Sequence, residues 1–234
     1  AYGPGVADMK PGLVINAFIL AAFNKFGGHP NPLVGLFTGD EEIGSPTSQD
    51  VIIAEAKKAR LAFNREPGRP NGNIVTKSKG GIFCHCDIYG VAAHSGGFFE
   101  EGRSAIEELA QKIQALHSLT DLDRGITLNV GLVTGGQSVN TVAAEASCDI
   151  DIRYRESGDR DEIFNKVRQI CQTTSVDGTS SKMSVRGEFH PLNPSQQSTE
   201  LFDIYTKIAA KHNVIVKGEH SGGCADSGFI AGVG

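Results

Sequence analysis

The pattern of hydrophobic and polar positions changes twice along this chain. In its first part, residues 12–26 are apolar over a helical length and end at two glycines, and Ser48 stands where it can cap a second helix over 49–59. An apolar run at 33–37 predicts a buried strand after the first helix, and residues 60–64 are the next predicted strand. Helices alternating with strands indicate a parallel sheet covered by helices, in which ligands bind beyond the carboxyl ends of the strands.

The middle of the chain changes to strand-like alternation. Four segments alternate apolar and polar residues, and two helical segments lie between them. The predicted order is strand 82–89, helix 102–116, strand 126–134, strand 144–154, helix 159–173 and strand 182–188. This βαββαβ order is typical of a ferredoxin-like unit, which packs its helices on one face of an antiparallel sheet.

The last part of the chain returns to helical spacing. Residues 198–212 have an amphipathic helical pattern and are followed by a strand-like run at 214–217 and a glycine-rich stretch at 221–228. We therefore expect an α/β protein with a parallel or mixed sheet domain, into which the ferredoxin-like module is inserted. The expected segments are 1–79 for the first part of the larger domain, 80–189 for the insert and 190–234 for the second part.

Composition narrows the functional class without fixing the chemistry. The chain has 234 residues, 39% of them hydrophobic, and a net charge of −5, so it can bury a real core. No basic run is long enough to follow a phosphate backbone, which argues against a nucleic-acid partner. No apolar segment reaches the roughly 18 residues of a spanning helix, so we expect no membrane partner and a cytoplasmic location. The five cysteines lack the spacing of a disulfide scaffold, and we expect reduced thiols.

An acidic run directly follows the first predicted strand. Glu41 and Glu42 are adjacent there, and on an extended segment their side chains point in opposite directions. One can then bind a cation while the other transfers protons, a division of labour that amide hydrolysis needs. Surface loops carry acidic runs routinely, so the tripeptide Asp40-Glu41-Glu42 alone favours a solvated loop.

The sequence Cys84-His85-Cys86-Asp87 resembles a metal cluster. Alternation along a strand places Cys84 and Cys86 on one face and His85 with Asp87 on the other, so the four side chains cannot form one compact site. We interpret this stretch as an ordinary strand.

Taken in order, seven motifs resemble the dinuclear-zinc carboxypeptidase and deacylase family, which includes glutamate carboxypeptidase, acetylornithine deacetylase and succinyl-diaminopimelate desuccinylase. The resemblance covers nearly the whole chain. It implies a zinc-peptidase-like sheet domain covered by helices, with an inserted ferredoxin-like dimerisation or lid domain. The motifs are Asp8-Met9-Lys10, Asp40 to Ser45, Glu66-Pro67, Ala92 to Gly96, Asn140 followed by Ala144-Glu145-Ala146, Asp151-Ile152-Arg153, and Gly222-Gly223 with Asp226.

The resemblance also implies roles for four acidic residues. Asp8 is similar to the carboxylate that bridges the two metals, Glu41 to the general base, Glu42 to a ligand of one zinc and Glu66 to a ligand of the other. Zinc accepts carboxylate oxygen, and two such ions together polarise a carbonyl and activate a bridging water. Taken singly, Asp8 is also explained as an acid favoured by a helix dipole, and Glu66 as an exposed charge at a strand end.

Substrate contacts follow from the resemblance in the same way. His94 is similar to a histidine of the inserted domain that reaches the partner subunit's active site and stabilises the oxyanion, and Asn140 to a second polar contact. Arg153 is similar to the clamp for the free carboxylate, a task that suits a planar two-pronged donor. The alternatives are a solvated loop histidine, a turn asparagine and a cross-strand ion pair. Gly222 and Gly223 complete the implied substrate contacts.

The implied function is a metal-dependent hydrolase that cleaves an amide bond next to a free-carboxylate amino acid, as a carboxypeptidase or N-acyl-amino-acid deacylase does. Its cofactor is two Zn²⁺ per active site, with Co²⁺ or Mn²⁺ as substitutes. Its partners are a small peptide or N-acyl amino acid and a second copy of the chain. The alternative is a non-catalytic relative acting as a dimerisation or peptide-binding module, which has no reason to retain Glu41.

The family pattern also extends beyond both ends of this sequence. It includes a His-x-Asp ligand motif upstream of Asp8 and a last histidine ligand downstream of Asp226, and neither is present. We therefore expect an incomplete piece of the enzyme that binds metal weakly or not at all as it stands.

Overall fold

The computed structural model describes residues 2–233, which fold into two compact units. Unit one combines Ala1–Ser78 with Leu192–Gly234, and unit two is the continuous segment Lys79–Pro191. The sequence suggests 80–189 for the inserted segment.

Unit two has the βαββαβ order predicted from the sequence. Its four strands form one antiparallel sheet in the order β3-β4-β2-β5, so the ferredoxin-like prediction is confirmed. The elements are β2 (Gly80–Tyr89), α3 (Ala105–His117), β3 (Thr127–Gly135), β4 (Glu145–Tyr154), α4 (Arg160–Gln172) and β5 (Ser180–Phe189).

Strict alternation explains why the two central strands form. In β2, Ile82, Cys84, Cys86 and Ile88 are buried, while the residues between them lie on the other face. The interpretation of residues 84–87 as a strand is therefore confirmed. All five cysteines are free thiols, as the sequence predicted.

The register of the sheet separates interior strands from edge strands. Within residues 2–233, β2 pairs with β4 on one side and with β5 on the other, whereas β3 pairs with β4 alone. The sequence left either 126–134 or 82–89 as the exposed edge. The second assignment is wrong, because both hydrogen-bonding sides of β2 are already used.

The core of unit two lies between this sheet and the two helices. Leu109 and Leu116 from α3 pack with Phe164 and Val167 from α4 against the buried face of β2 and β4. α3 begins at Ser104, whose side-chain oxygen accepts a 3.2 Å hydrogen bond from the Glu107 N–H.

Two charged residues are buried within this apolar layer. Glu108 and Lys112 are 1% and 2% exposed and form a 2.7 Å ion pair along α3. Lys112 also donates to the carbonyl oxygens of Ile170, at 3.1 Å, and Thr173, while Glu108 accepts from the Ser175 and Val176 N–H groups. The pair therefore joins α3 to the chain that leaves α4.

In the part of unit one that the structure describes there are four α-helices and a pair of parallel strands. Their elements are α1 (Lys10–Lys25), α2 (Gln49–Ala56), β1 (Ile74–Ser78), α5 (Gln196–Lys211), β6 (Gly218–Ser221) and α6 (Ser227–Ala231). β1 pairs with β6 from Ile74 opposite Gly218 to Ser78 opposite Ser221. No helix within residues 2–233 is both long and apolar enough to cross a membrane.

Several local predictions for unit one are wrong. Residues 33–37 and 60–64 form no strand, and the strand predicted at 214–217 lies at β6 instead. A strand needs a hydrogen-bonded neighbour, and an apolar run alone does not supply one. Val34, for example, is 73% exposed. Ser48 precedes α2 without capping it, because its hydroxyl donates to Asp40.

Candidate active site

Asp40 organises the turn that carries the acidic pair. Its carboxylate accepts hydrogen bonds from the Thr47 N–H at 2.8 Å, the Thr47 hydroxyl at 2.7 Å, and the Ser48 N–H and hydroxyl. These bonds, led by that of the Ser48 hydroxyl, lower the pKa of Asp40 to about 2. Asp40 is therefore a structural acid that closes the loop from 40 to 48.

Glu41 and Glu42 lie on a single 3-10 turn, Glu41–Ile43, and not on the extended segment that the sequence predicted. Side chains that follow one another on such a turn still diverge, because it has three residues per turn. The turn ends at Gly44, whose φ of 92° is in the left-handed region that glycine adopts without strain. The two glutamates can therefore still have different roles.

A buried hydrogen bond joins this turn to the glycine-rich loop. The Ser45 hydroxyl donates to the Asp226 carboxylate at 2.5 Å, and both residues are buried. Burial raises the pKa of Asp226, although its bonds with Ser45 and Thr38 oppose that shift. The sequence motifs contain Ser45 and Asp226, but only the fold reveals that they hold the two loops together.

A close approach of backbone places Glu66 near Asp8. A Cβ on Gly12, in the first turn of α1, would lie 2.5 Å from the Arg65 carbonyl oxygen. Only glycine leaves room for the chain at Arg65 to pass this close to the start of α1. Glu66 and Asp8 then lie close enough that Asp8 raises the pKa of Glu66, second only to burial.

Glu41 lies at the centre of this group of acids. Burial, followed by the negative charges of Glu66, Asp226, Glu42 and Asp8 in that order, raises the pKa of Glu41 to about 8. The sequence-predicted acids of unit one are therefore brought into one region, and Asp226 joins them.

The donor chemistry of this acidic cluster suits a divalent cation. Carboxylate oxygens are ligands for zinc, and a cation would relieve the mutual repulsion that the raised pKa values report. Within residues 2–233, no three acidic, histidine or cysteine side chains are arranged to enclose a metal ion. Asp8, Glu42 and Glu66 thus have suitable chemistry without an assembled coordination shell.

In unit two, His94 and Asn140 lie on neighbouring loops. His94 bridges to Thr141, and the Ser95 N–H donates to the Asn140 carbonyl oxygen at 3.0 Å. The His94 Nδ1 accepts from the Gly96 and Gly97 N–H groups, at 3.1 and 3.2 Å. The proton of the neutral ring therefore lies on Nε2, which is the tautomer that can donate to an oxyanion.

Arg153 lies on β4 and has a carboxylate neighbour. Its Nε donates to Asp151 at 2.6 Å, and its guanidinium lies 5.0 Å from the centre of the Phe83 ring. An ion pair with a neighbouring acid was the alternative to the substrate clamp, but this pair runs along one strand and not across two. Asp151 fixes the guanidinium on the sheet face that bears no helices.

Gly222 and Gly223 lie in the exposed loop between β6 and α6. A side chain at Gly222 would meet no atom within 4 Å, and the Gly223 N–H donates to the Ser221 hydroxyl at 3.1 Å. The loop is therefore open on the side where a substrate could approach its backbone.

The sequence is similar to a known domain family and to two known hydrolases. Residues 76–179 match the family described as the peptidase dimerisation domain. The chain is 27% identical to carboxypeptidase G2 of a Pseudomonas species, over 99% of this chain and 56% of that protein. It is 30% identical to the acetylornithine deacetylase of Myxococcus xanthus, over 53% of this chain and 34% of that protein. The chain thus spans little more than half of the first relative and about a third of the second.

Solved structures extend the likeness to the fold. The match to the aminopeptidase PepT of Bacillus cereus covers 80% of this chain and 52% of the PepT chain, with a TM-score of 0.64 and 21% identity. The match to a tripeptidase of Staphylococcus aureus covers 78% of this chain and 50% of the tripeptidase chain, with a TM-score of 0.61 and 20% identity. The resemblance inferred from the sequence is confirmed: residues 76–179 match the peptidase dimerisation domain, and the chain is similar to proteins named as carboxypeptidase and acetylornithine deacetylase.

Proposed function

We propose that this protein is a metal-dependent hydrolase of an amide bond next to a free-carboxylate amino acid, as in a carboxypeptidase or N-acyl-amino-acid deacylase. The observation that carries the proposal is the convergence of Asp8, Glu41, Glu42 and Glu66 in unit one, where burial, and after it the neighbouring negative charges, raises the pKa of Glu41 to about 8. A carboxylate cluster of this kind is typical of a functional site, because a purely structural cluster would contain neutralising cations. The relatives named as carboxypeptidase and deacetylase support the reaction class.

In this proposal the acids of unit one divide into ligands and a base. Asp8, Glu42 and Glu66 would hold two divalent ions, zinc or its substitutes cobalt and manganese. When bound, such ions polarise the carbonyl and acidify water. Glu41 takes the proton of the attacking water and delivers it to the leaving nitrogen. Ser45 and Asp226 hold the turn that carries Glu41, through their 2.5 Å hydrogen bond.

Unit two would supply the contacts to the substrate. In a homodimer, His94 would reach the active site of the partner subunit, where its Nε2–H would donate to the oxygen of the attacked carbonyl, with Asn140 as the neighbouring polar contact. Arg153 binds the free carboxylate with two parallel N–H groups. Gly222 and Gly223 offer backbone groups from unit one.

The direct test is an assay of the full-length, zinc-loaded protein against N-acyl amino acids and peptides with a C-terminal glutamate. Hydrolysis of free-carboxylate substrates that stops on chelation and returns with zinc supports the proposal. If a zinc-loaded enzyme with intact dimers hydrolyses none of them, the non-catalytic dimerisation or peptide-binding role replaces it.

The carboxylate clamp gives a sharper expectation. Arg153→Lys keeps the charge but loses the planar fork, so kcat/KM on free-carboxylate substrates should fall by about 1.5–3 kcal/mol, while a substrate with an amidated carboxylate loses little. Arg160→Lys is the matched control, because Arg160 pairs with Glu188 and has no proposed substrate role. Equal losses on both substrates would mean that Arg153 only holds the sheet together.

The family match also supports a homodimer through unit two. β3 is an edge strand, and Leu132 and Val133 on it are 66% and 54% exposed. Ile106 of α3 is exposed as well and lies beside the end of β3 at Gly135 and Gly136. An edge strand flanked by apolar side chains can pair with its symmetry mate across a two-fold axis.

A charge on this edge should separate the subunits. Leu132→Glu should raise the dimer dissociation constant at least about tenfold, because the two-fold axis brings two like charges together in the interface. Val185→Glu on β5, the opposite edge of the same sheet, is the matched control and should leave the dimer intact. Analytical ultracentrifugation measures both. A wild-type chain that stays monomeric at high concentration would rule the dimer out.

A further inference from the structure

Three cations lie together where β2 begins and β4 ends. Lys79 immediately precedes β2, and Arg155 immediately follows β4. They lie next to Gly80 and Tyr154, which are the last pair of residues opposite each other in β2 and β4. Arg153 lies in β4, two residues before Arg155. Alternation along a strand points Arg153 and Arg155 to the same face, away from the core.

The three cations differ in whether an acidic side chain neutralises them. Arg153 is paired with Asp151. Lys79 and Arg155 make no hydrogen bond or ion pair with any residue in 2–233. Burial, and after it the positive charges of Arg155 and Arg153, lower the pKa of Lys79, against an opposing effect of Asp151. Lys79 and Arg155 therefore form a local excess of positive charge.

Two other arginines of unit two are neutralised by acidic side chains. Arg124 is bound by Asp159 and Glu162, and Arg160 by Glu188 and Asp161. The chain as a whole carries a net charge of −5, so acids are abundant. Within residues 2–233, Arg155 forms no ion pair of the kind that neutralises Arg124 and Arg160.

The backbone at Gly125 holds the Arg155 guanidinium in place. Gly125 has a φ of +73°, and a Cβ there would lie 2.8 Å from the Arg155 Nε and 2.9 Å from Cζ. The guanidinium therefore lies against the bare backbone of the turn. Its Nε is buried and has no hydrogen-bond partner within the described chain. Leaving a charged donor in this state costs free energy, which an anion in the plane of the guanidinium would recover.

We propose that Lys79 and Arg155 form a binding site for a small oxyanion, a phosphate or carboxylate group. Arg155 contributes its guanidinium, and Lys79 contributes a point charge from the position just before β2. The site uses other residues than the proposed substrate clamp, which is Arg153. The proposal does not depend on the hydrolase function and can be tested without turnover.

The test is a titration of the whole chain with inorganic phosphate, and separately with acetate, at constant ionic strength maintained with chloride. The Nε–H resonance of Arg155 is followed by NMR, and affinity by calorimetry. We expect saturable binding of at least one of the two anions, with a shift of that resonance. The anion that saturates at the lower concentration identifies the preferred group.

Three variants separate the site from general charge effects. Arg155→Gln and Lys79→Gln should each weaken binding at least about tenfold, the order expected for losing a hydrogen bond to a charged group. Arg124→Gln removes the same charge from an arginine that is already paired and should change nothing. No saturable binding of either anion to the unmodified chain would overturn the proposal, and so would equal weakening by Arg124→Gln. Because the first measurement uses the unmodified chain, a variant that fails to fold does not decide the outcome.

Discussion

Glu41→Gln is expected to lower kcat of the metal-loaded enzyme by at least roughly a hundredfold while metal content stays unchanged. Glutamine preserves the size and shape of glutamate but cannot take a proton from water. Because Glu41 and Glu42 diverge on one 3-10 turn, a change in one need not disturb the other.

Glu42→Gln is the matched comparison, with the same change one residue along. In this variant metal content should fall, and activity should return in part at high zinc concentration, because the lost group is a proposed ligand. Stopped-flow assays and metal analysis separate the two outcomes. If Glu41→Gln loses metal, or Glu42→Gln loses turnover with full metal content, the two roles have been assigned the wrong way round.

Lys112→Met should destabilise unit two by about 3–5 kcal/mol. The substitution removes the charge that compensates Glu108, which is 1% exposed, and also the donor to the Ile170 and Thr173 carbonyl oxygens. A carboxylate left alone in that position must either take up a proton or draw water into the core.

Lys166→Met is a closely matched control for this experiment. Lys166 forms the same i to i+4 pair with Glu162 on α4, but both side chains are about half exposed. Its loss should cost at most about 0.5 kcal/mol, because exposed pairs of this kind are weak. Urea unfolding followed by fluorescence or circular dichroism measures both free energies. Similar losses for the two variants would mean that the buried pair contributes no more than a surface pair.

The contrast between the two units explains how far the sequence could predict the fold. In unit two, β4 and most of β2 alternate between buried and more exposed residues, and each of the four strands pairs with a neighbour from within the same continuous segment. Local periodicity then carries enough information to predict both the elements and their order. Glu108 and Lys112 were hidden from this reasoning, because on a helix their spacing looks like that of a surface pair.

In unit one, local patterns failed where pairing is distant along the chain. β1 was missed because Ile74–Ser78 contains polar residues and pairs with Gly218–Ser221, far away in sequence. The runs at 33–37 and 60–64 are apolar, but no neighbour bonds to them within the described residues. Hydrophobicity predicts that a segment is suited to burial, while strand formation also needs a partner, which one segment cannot reveal.

In the candidate site, the sequence motifs identified the acidic residues but not the residues that hold them in place. The motifs suggested Asp8, Glu41, Glu42 and Glu66, and the fold brings them into one region. Asp40 and Ser45 belong to the same motif, but the sequence did not reveal their structural roles. Asp40 accepts a hydrogen bond from the Ser48 hydroxyl, and Ser45 donates one to Asp226. Gly12 gave no signal, because only the close passage of Arg65 explains the need for glycine there.

The point where the chain leaves unit one and returns to it has a consequence for folding order. The Ser78 N–H donates to the Leu192 carbonyl oxygen at 3.0 Å, so the two ends of the intervening segment are bonded to each other. While that segment of about 110 residues is unfolded, closing it costs about 4 kcal/mol of chain entropy. Once its own ferredoxin-like sheet has formed, its first and last strands lie side by side in the sheet, β2 beside β5. Folding of unit two before unit one would therefore bring the two halves of unit one within reach of each other.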